Sequence, residues 1–537
     1  MKFRNPILPG FHPDPTICRV GEDYYLVTST FEYFPGLPIF HSLDLVHWRQ
    51  IGHVIHRPTQ LSLDGLQPSK GLYAPTLRYH NGTFYVINTL VPNLENPVSP
   101  CGNFIVTATD PAGPWSDPYW LDPDWSADGA PGIDPSLLFD DDGRAWYTGN
   151  RIPPAGESYT GHREIWLQEL DLDTMQLTGP KYSLWDGAAK GAIHAEAPHL
   201  YKIDGMYYLL IAEGGTDAYH AVTMARSKSV TGPYVSCGRN PILTHRDRGY
   251  FSSIAATGHA DLIETHNGEW WLVALGVRPY SDPFEPGYYY NLGRETFLAP
   301  VRWEMDGWPV VNPGRGGFDC ESPVPNLPAH PWPEAPARDE FDAAELALTW
   351  NFLRTPREDF WSLTERPGHL RLRLRPEMLS EWVTPSFVGR RQQHMNFAAQ
   401  TVMDFTPASE HECAGLVVLQ NSDYHFRLEQ SRANGTGIIR LIKREKGEES
   451  TLAEKPLATE HTYLKIEARG QAYSFWASAD GKQWDCIAGS VDGRILSTTI
   501  AGGFVGAYIG MYASSSGQPS ETTADFDWFE YMELGES

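Results

Sequence analysis

The segment DPTICRVGEDYYLVTS, Asp14–Ser29, decides the fold because its pattern recurs four more times along the chain. A polar or small head residue leads into an apolar strand, a turn containing Gly or Asp follows, and an aromatic pair opens a second strand. This order is typical of a β-hairpin. The matching segments are APTLRYHNGTFYVINT from Ala74, DPSLLFDDDGRAWYTGN from Asp134, APHLYKIDGMYYLLIA from Ala197 and ADLIETHNGEWWLVAL from Ala260.

The spacing of these hairpins predicts how they are arranged. Their starts lie 60, 60, 63 and 63 residues apart, and strand-like pieces such as FHSLDLVHWRQIG lie between them. Radial repetition of four-stranded sheets is a propeller. We therefore predict an all-β chain whose residues 1–320 form a five-bladed β-propeller. A β-sandwich with fortuitous repetition is the alternative, whereas a WD40-type propeller is disfavoured because no GH…WD pattern recurs every 40 to 45 residues or so.

Acidic residues lie at the heads of three repeats. Asp14 and Asp134 each stand at a head before a proline, Glu196 directly precedes the fourth head, and His259 has the matching place in the fifth repeat. In a propeller the innermost strands line the central channel, so equivalent heads meet at one end of it. An Asp before Pro is often only a turn residue, but a turn role does not explain acids at three equivalent heads.

The C-terminal part of the chain has a different pattern. Residues 321–338, ESPVPNLPAHPWPEAPAR, are rich in proline and are predicted to be a linker or a surface strap. Alternating segments such as HLRLRLRP and TYLKIEARG follow, so residues 339–537 are predicted to form an antiparallel β-sandwich. SADGKQW, Ser478–Trp484, is similar to a sialidase Asp-box, which we interpret as a structural turn.

Composition excludes several classes of partner. The 537 residues carry a net charge of −25, which argues against binding to nucleic acid or to anionic membranes and fits a neutral ligand. The six cysteines form no CxxC pair or Cys/His cluster, so we expect no structural zinc. Scattered thiols, and an N-terminus without an apolar signal region, favour a cytoplasmic protein with no membrane span.

Carboxylates that face each other across a pocket are the apparatus of glycoside hydrolysis. Asp14, short and held between Pro13 and Pro15, suits a general base, whereas the longer Glu196 suits a proton donor. Asp134 fits a third acid that raises the pKa of the donor by like-charge repulsion. Rings stack on the faces of sugars, and the candidates in this sequence are Phe31, Phe34 and Tyr73.

Several longer segments carry a family resemblance. Residues 11–48, FHPDPTICRVGEDYYLVTSTFEYFPGLPIFHSLDLVHW, closely resemble the opening of glycoside hydrolase family 43, the β-xylosidase and α-L-arabinofuranosidase group. IDPSLLFDDDG and AEAPHLYKIDGMYYLLIAEGGT are similar to its second and third acidic motifs. The resemblance extends through LGRETFLAPVRWEMDGWPVV to the concanavalin-like sandwich of its larger β-xylosidases, and so covers nearly the whole chain.

The resemblance implies a role for each matching residue. Asp14 matches the general base, Asp134 the pKa modulator and Glu196 the general acid of an inverting mechanism. Arg294 matches an arginine near the sugar, and Phe504 a residue of the second domain that closes the pocket, with sandwich core as its alternative. His259 matches a channel histidine that in some relatives lies near a divalent cation such as calcium; no cofactor is expected to be required.

The predicted activity is the release of a terminal pentose by an exo-acting inverting hydrolase, most simply β-1,4-linked xylose from xylo-oligosaccharides. A dedicated or bifunctional α-L-arabinofuranosidase is the first alternative, and a non-catalytic sugar-binding propeller is the second. KGLYAP, with Tyr73, stands where related β-xylosidases carry a tryptophan, and VPNLENPVSPCGNF, residues 91–104, also departs from their pattern. Xylo- or arabino-oligosaccharides are thus the expected partners, and the large sandwich is compatible with a homo-oligomer.

Overall fold

A computed structural model describes residues 1–95, 97–188, 191–249, 252–280, 288–457 and 459–535. The predicted all-β class is confirmed. Within these ranges the helical elements are one 3-10 turn, Gly493–Leu496, and one short α-helix, Thr498–Ala501. In the same part of the chain no helix is long and apolar enough to cross a membrane. One position of the unusual 91–104 stretch, residue 96, lies outside the described residues.

The described part of residues 16–311 contains five separate antiparallel sheets, and each includes one of the repeated hairpins. The first sheet contains Thr16–Val20, Asp23–Val27, Gly36–Ser42 and Arg49–Ile55. The second contains Gly71–Leu72, Thr76–His80, Thr83–Val91, Gly102–Ala108 and Tyr119–Trp120. The third contains Ser136–Phe139, Ala145–Arg151, Glu164–Asp171 and Gln176–Trp185. The fourth contains Glu196–Ile203, Met206–Glu213, Ala221–Ser227, Val235–Ser236 and Leu243–Thr244. The fifth contains Ala255–Glu264, Trp270–Val277, Glu295–Trp303 and Pro309–Val311.

The innermost strands of these sheets form a closed ring. Thr16–Val20 contacts both Thr76–His80 and Ala255–Glu264, while Ser136–Phe139 contacts Thr76–His80 and Glu196–Ile203. The ring is completed by a contact between Glu196–Ile203 and Ala255–Glu264. This radial arrangement places the head of every innermost strand around one axis, as the repeat predicts.

A buried polar network ties all five sheets together along this axis. Asp261, 1% exposed, accepts hydrogen bonds from Arg78 Nη1 at 2.8 Å and Tyr201 Oη at 2.6 Å. Although burial opposes ionisation, the charge of Arg78 lowers the pKa of Asp261, so the two groups form a buried ion pair. One or two members come from each sheet: Thr16, Arg78, Ser136, His199, Tyr201 and Asp261.

Replacing Asp261 by asparagine should destabilise the propeller by about 3–5 kcal/mol, because Arg78 would be left buried without its countercharge. The measurement is the free energy of unfolding in urea, followed by tryptophan fluorescence. The matched control is Asp142→Asn, which breaks a pair with Arg144 whose side chains are 44% and 46% exposed. That exposed pair should contribute about 0–1 kcal/mol. Equal losses in the two variants would contradict a structural role for the axial network.

The C-terminal region forms two stacked sheets. One contains Arg338–Asp339, Trp361–Ser362, Leu370–Arg373, Asn396–Asp404, His461–Arg469, Ala472–Ser478, Asp485–Asp492 and Thr523–Glu533. The other contains Ser386–Arg391, Cys413–Asn421, Tyr424–Ala433, Thr436–Glu445, Glu448–Pro456 and Tyr508–Ser514. In His461–Arg469 of the first of these sheets, buried side chains alternate with exposed or half-buried ones, so one face of the strand packs toward the other sheet.

The two regions share strand pairing and a core. Tyr33–Phe34 pairs with Phe352–Leu353, and Lys2–Arg4 pairs with Glu321–Pro323 at the start of the predicted linker. Farther along that linker, Trp332 Nε1 donates to His47 O at 3.1 Å, so the strap lies against the first sheet. Aromatic side chains from both regions form one apolar cluster. This cluster places the sandwich next to the heads of the innermost propeller strands.

Candidate active site

A small cavity of about 90 Å³ lies at the heads of the innermost strands. The structure brings eight of the nine predicted site residues to its lining: Asp14, Phe31, Tyr73, Asp134, Glu196, His259, Arg294 and Phe504. The three acids and the histidine that the repeat singled out therefore lie in one cavity. The cavity is far smaller than pockets for drug-sized ligands, which are roughly 300–1,000 Å³.

The heads share an unusual backbone conformation. Asp14, Asp134, Ala197 and His259 have φ values of 54°, 53°, 51° and 50°. This left-handed region is uncommon for residues other than glycine and costs about 1–3 kcal/mol where the surroundings hold it. Its recurrence in four repeats shows that the same turn lies at each of these heads. Asp14, Asp134 and His259 are themselves the turn residues, whereas in the fourth repeat the turn residue is Ala197 and Glu196, which lines the cavity, precedes it.

Asp14 is held as a carboxylate. It is 3% exposed, and its Oδ2 accepts from Ser29 Oγ at 2.5 Å while Oδ1 accepts from Arg294 Nη1 at 3.1 Å. Burial opposes ionisation, but the positive charge of Arg294 and the Ser29 hydrogen bond outweigh it and lower the pKa of Asp14. An ionised, fixed carboxylate is the form that a general base requires.

Glu196 and Asp134 have the opposite tendency. Burial, reinforced by the negative charge of Asp14, raises the pKa of Glu196 to about 7. Burial also raises the pKa of Asp134, with repulsion from Glu196 as the next cause. The two carboxyls therefore retain a proton between them near neutral pH while Asp14 is charged. One cavity thus contains both a proton acceptor and a proton donor.

Arg294 joins the carboxylate side of the cavity to its aromatic wall. Its Nη1 also donates to Thr216 Oγ1 at 3.0 Å, and its guanidinium lies 5.5 Å from the ring centroid of Phe504. Its buried Nε has no hydrogen-bond partner among the described residues. A buried donor of this kind is costly when nothing satisfies it.

Three aromatic rings form the wall. The centroid of Phe31 lies 5.0 Å from that of Tyr73 and 5.8 Å from that of Phe504. Phe504 comes from the segment between the short helix and strand Tyr508–Ser514, so the second region of the chain completes the cavity. Apolar ring faces of this kind pack against the C–H faces of a pyranose or furanose.

Phe34 is the predicted site residue that the structure does not bring into the cavity. It is 3% exposed, packs in a hydrophobic cluster with Leu72 and Phe352, and pairs in register with Phe352 of the second region. Its ring therefore joins the two regions rather than lining the site. The sequence motif places Phe31 and Phe34 only three residues apart, and both are buried, so periodicity did not separate their roles.

Two polar residues of the lining were missed by sequence reasoning. Thr216 and His220 follow the second strand of the fourth sheet, outside the repeated hairpin pattern. Burial lowers the pKa of His220 to about 3, so the ring is neutral, and its Nε2 is buried with no partner among the described residues. The GGTD stretch, residues 214–217, contains Thr216 and is a local signal of a loop at this edge.

The family resemblance allows, but does not require, a divalent cation beside His259. His259 Nδ1 lies 3.6 Å from Asp14 Oδ1, and burial lowers the pKa of His259, so the ring is neutral. Arg294 already provides the positive charge next to Asp14. Among the described residues no group of three or more His, Cys, Asp or Glu side chains could hold a metal ion.

Comparison with known proteins matches both regions. The family model for glycosyl hydrolases family 43 matches residues 3–309, and the model for the β-xylosidase C-terminal concanavalin A-like domain matches residues 338–532. These matches confirm the predicted propeller fold and the concanavalin-like sandwich that follows it.

Full-length relatives extend the match. A xylosidase/arabinosidase of Butyrivibrio fibrisolvens is 45% identical over 99% of both chains. A non-reducing end α-L-arabinofuranosidase of Bacteroides ovatus is 44% identical over 98% of this chain and 94% of its own. The crystal structure of xylan β-1,4-xylosidase from Bacillus halodurans superposes with a TM-score of 0.91 at 38% identity, covering 99% of this chain and 100% of that one. The chain therefore belongs to glycosyl hydrolase family 43.

Proposed function

We propose that this protein is an exo-acting, inverting glycosidase that releases a terminal pentose, foremost β-1,4-linked xylose from xylo-oligosaccharides. The observation that carries this proposal is the opposite ionisation of carboxyls in one small cavity. Asp14 is charged, whereas the Glu196–Asp134 pair keeps a proton. Hydrolysis of a glycosidic bond needs this division between base and acid.

The chemistry follows from these assignments. Asp14 takes a proton from a water molecule as the water oxygen attacks the anomeric carbon. Glu196 gives its proton to the glycosidic oxygen as the bond to the leaving sugar breaks. Attack opposite the leaving group inverts the anomeric centre. The step leaves Asp14 protonated and Glu196 ionised, and the next turnover begins after Asp14 gives its proton to solvent and Glu196 takes one from solvent. Arg294 keeps Asp14 ionised.

An α-L-arabinofuranoside is the alternative substrate, and the Bacteroides ovatus relative supports it. Tyr73 lines the cavity at the position where related β-xylosidases carry a larger tryptophan. The aromatic wall that contacts the sugar therefore has a different shape in this protein. The test compares kcat/KM for p-nitrophenyl β-D-xylopyranoside and p-nitrophenyl α-L-arabinofuranoside. We expect faster release from the xyloside. Faster release from the arabinofuranoside would assign the alternative, and no release from either by folded protein would contradict both.

The pH dependence should follow Glu196. Its protonated form is the active one, so kcat/KM should fall above about pH 7 as the proton is lost. The lowered pKa of Asp14 keeps the base ionised well below neutral pH, so activity should persist on the acid side.

Asp134→Asn tests the tuning role on the same profile. Removing one of two carboxyls that oppose each other's ionisation should move the alkaline limb to lower pH. The measurement is kcat/KM from pH 4 to about 10 in both proteins. An alkaline limb that stays in place in Asp134→Asn would contradict the tuning role of Asp134.

A further inference from the structure

Ser69 contacts two walls of the cavity without lining it. Its Oγ accepts a hydrogen bond from the backbone N–H of Phe504 at 2.8 Å, and its carbonyl oxygen accepts one from Tyr73 Oη at 3.0 Å. Phe504 belongs to the sandwich region and Tyr73 to the propeller, and both rings line the cavity. A single buried serine, 5% exposed, thus connects the aromatic residues that the two regions contribute.

Glu32 fixes Ser69 in turn. The backbone N–H of Ser69 donates to Glu32 Oε2 at 2.9 Å, and Glu32 is 1% exposed. Arg354 of the sandwich region donates its backbone N–H to Glu32 O at 2.8 Å, and its positive charge acts on the Glu32 carboxyl. Ser69 has a φ of 63°, a conformation that a non-glycine residue keeps only where its surroundings impose it.

The fit against the sandwich is close. A Cβ atom added to Gly503 would lie 2.3 Å from Ser69 Oγ, so the glycine allows the Phe504 backbone to reach the serine. The next residue then places its ring 6.0 Å from that of Tyr73, centroid to centroid. The position of Phe504 in the cavity therefore depends on a contact between residues 435 positions apart in the chain.

We propose that Ser69 is a positioning residue for the sugar pocket: held by Glu32, it fixes the second region's Phe504 against Tyr73, so that pentose binding requires the sandwich to be docked on the propeller. This inference rests on the proposed glycosidase function, which it deepens by naming how the second region takes part. It concerns sugar binding, since Ser69 touches none of the three acids in the described contacts.

The test is a double-mutant cycle on Ser69 and Phe504. Ser69→Ala removes the acceptor for the Phe504 amide, and we expect KM for the preferred nitrophenyl pentoside to rise roughly 3- to 10-fold with kcat changed less than about twofold. In a Phe504→Ala background the same change should add less than about twofold, because the ring that Ser69 positions is gone. Glu32→Leu, which leaves Ser69 intact but removes the acceptor of its backbone N–H, should raise KM in the same direction.

The matched control is Thr355→Val. The Thr355 hydroxyl accepts the backbone N–H of Leu63 at 3.1 Å, so it is also a hydroxyl-to-backbone contact between the regions, but neither residue lines the cavity. It should leave KM unchanged. An equal rise in KM in Thr355→Val, or additive effects of Ser69→Ala and Phe504→Ala, would show general docking and overturn the proposal.

Hydrogen exchange separates failure of this inference from failure of the proposed function. Loss of the Ser69 acceptor should speed amide exchange in residues 502–507, whereas Thr355→Val should not. This readout needs no catalysis, so it decides the inference even if wild-type protein releases nitrophenol from neither pentoside. Unchanged exchange in residues 502–507 of Ser69→Ala would overturn the positioning role. An inactive wild-type protein would instead contradict the glycosidase assignment.

Discussion

Asp14→Asn should lower kcat by on the order of 10²–10⁴-fold, because the amide cannot take a proton from the attacking water. The loss should be equally large for a nitrophenyl pentoside and for a xylo-oligosaccharide, since both need an activated water regardless of the leaving group. The measurement is kcat for each substrate with purified, folded enzyme. Asparagine keeps the size of the side chain and an acceptor for Ser29 Oγ, so the change isolates basicity.

The control for Asp14→Asn is the thermal midpoint of the variant and its KM. Arg294 loses its carboxylate partner in the variant, so a modest loss of stability is expected. Retention of kcat within about tenfold of wild type would contradict the role of Asp14 as base.

Glu196→Gln should separate the two substrates. With xylobiose, whose leaving group is a sugar hydroxyl, kcat should fall by on the order of 10²–10⁴-fold because no proton reaches the glycosidic oxygen. With the nitrophenyl xyloside the fall should be much smaller, since nitrophenolate leaves without protonation. The alkaline limb of the pH profile should also disappear, because the group that titrates at about 7 is gone.

Equal losses on the two substrates would contradict the assignment of Glu196 as acid. Asp14→Asn is the matched comparison, since it removes a carboxyl from the same cavity but should affect both substrates alike. The ratio of the two kcat values in each variant therefore distinguishes the acid from the base.

The sequence repeat predicted those site residues that occupy equivalent or adjacent positions in successive repeats. Asp14, Asp134 and Glu196 were found because equivalent heads in a propeller meet at one axis, and His259 followed from the same spacing. The left-handed backbone at these heads was not predicted, because a non-glycine residue in that conformation leaves no mark in composition.

Contacts between segments that are distant in the chain could not be predicted from local sequence patterns. Phe504 was reached only through the family resemblance, and its contact with Ser69 was not foreseen, since no periodicity links residues so far apart. Phe34 was wrongly predicted to line the site. A buried aromatic residue beside a motif has the same sequence signal in a core as in a cavity wall, because burial alone sets the pattern.

The direct test of the central claim is the anomeric configuration of the first product. Proton NMR during rapid hydrolysis of a β-D-xyloside by wild-type enzyme should show α-D-xylose first, followed by mutarotation to the β form. That result is required if Asp14 activates water on the face opposite Glu196. β-D-Xylose as the first product would mean retention through a covalent intermediate, and it would contradict the base assigned to Asp14.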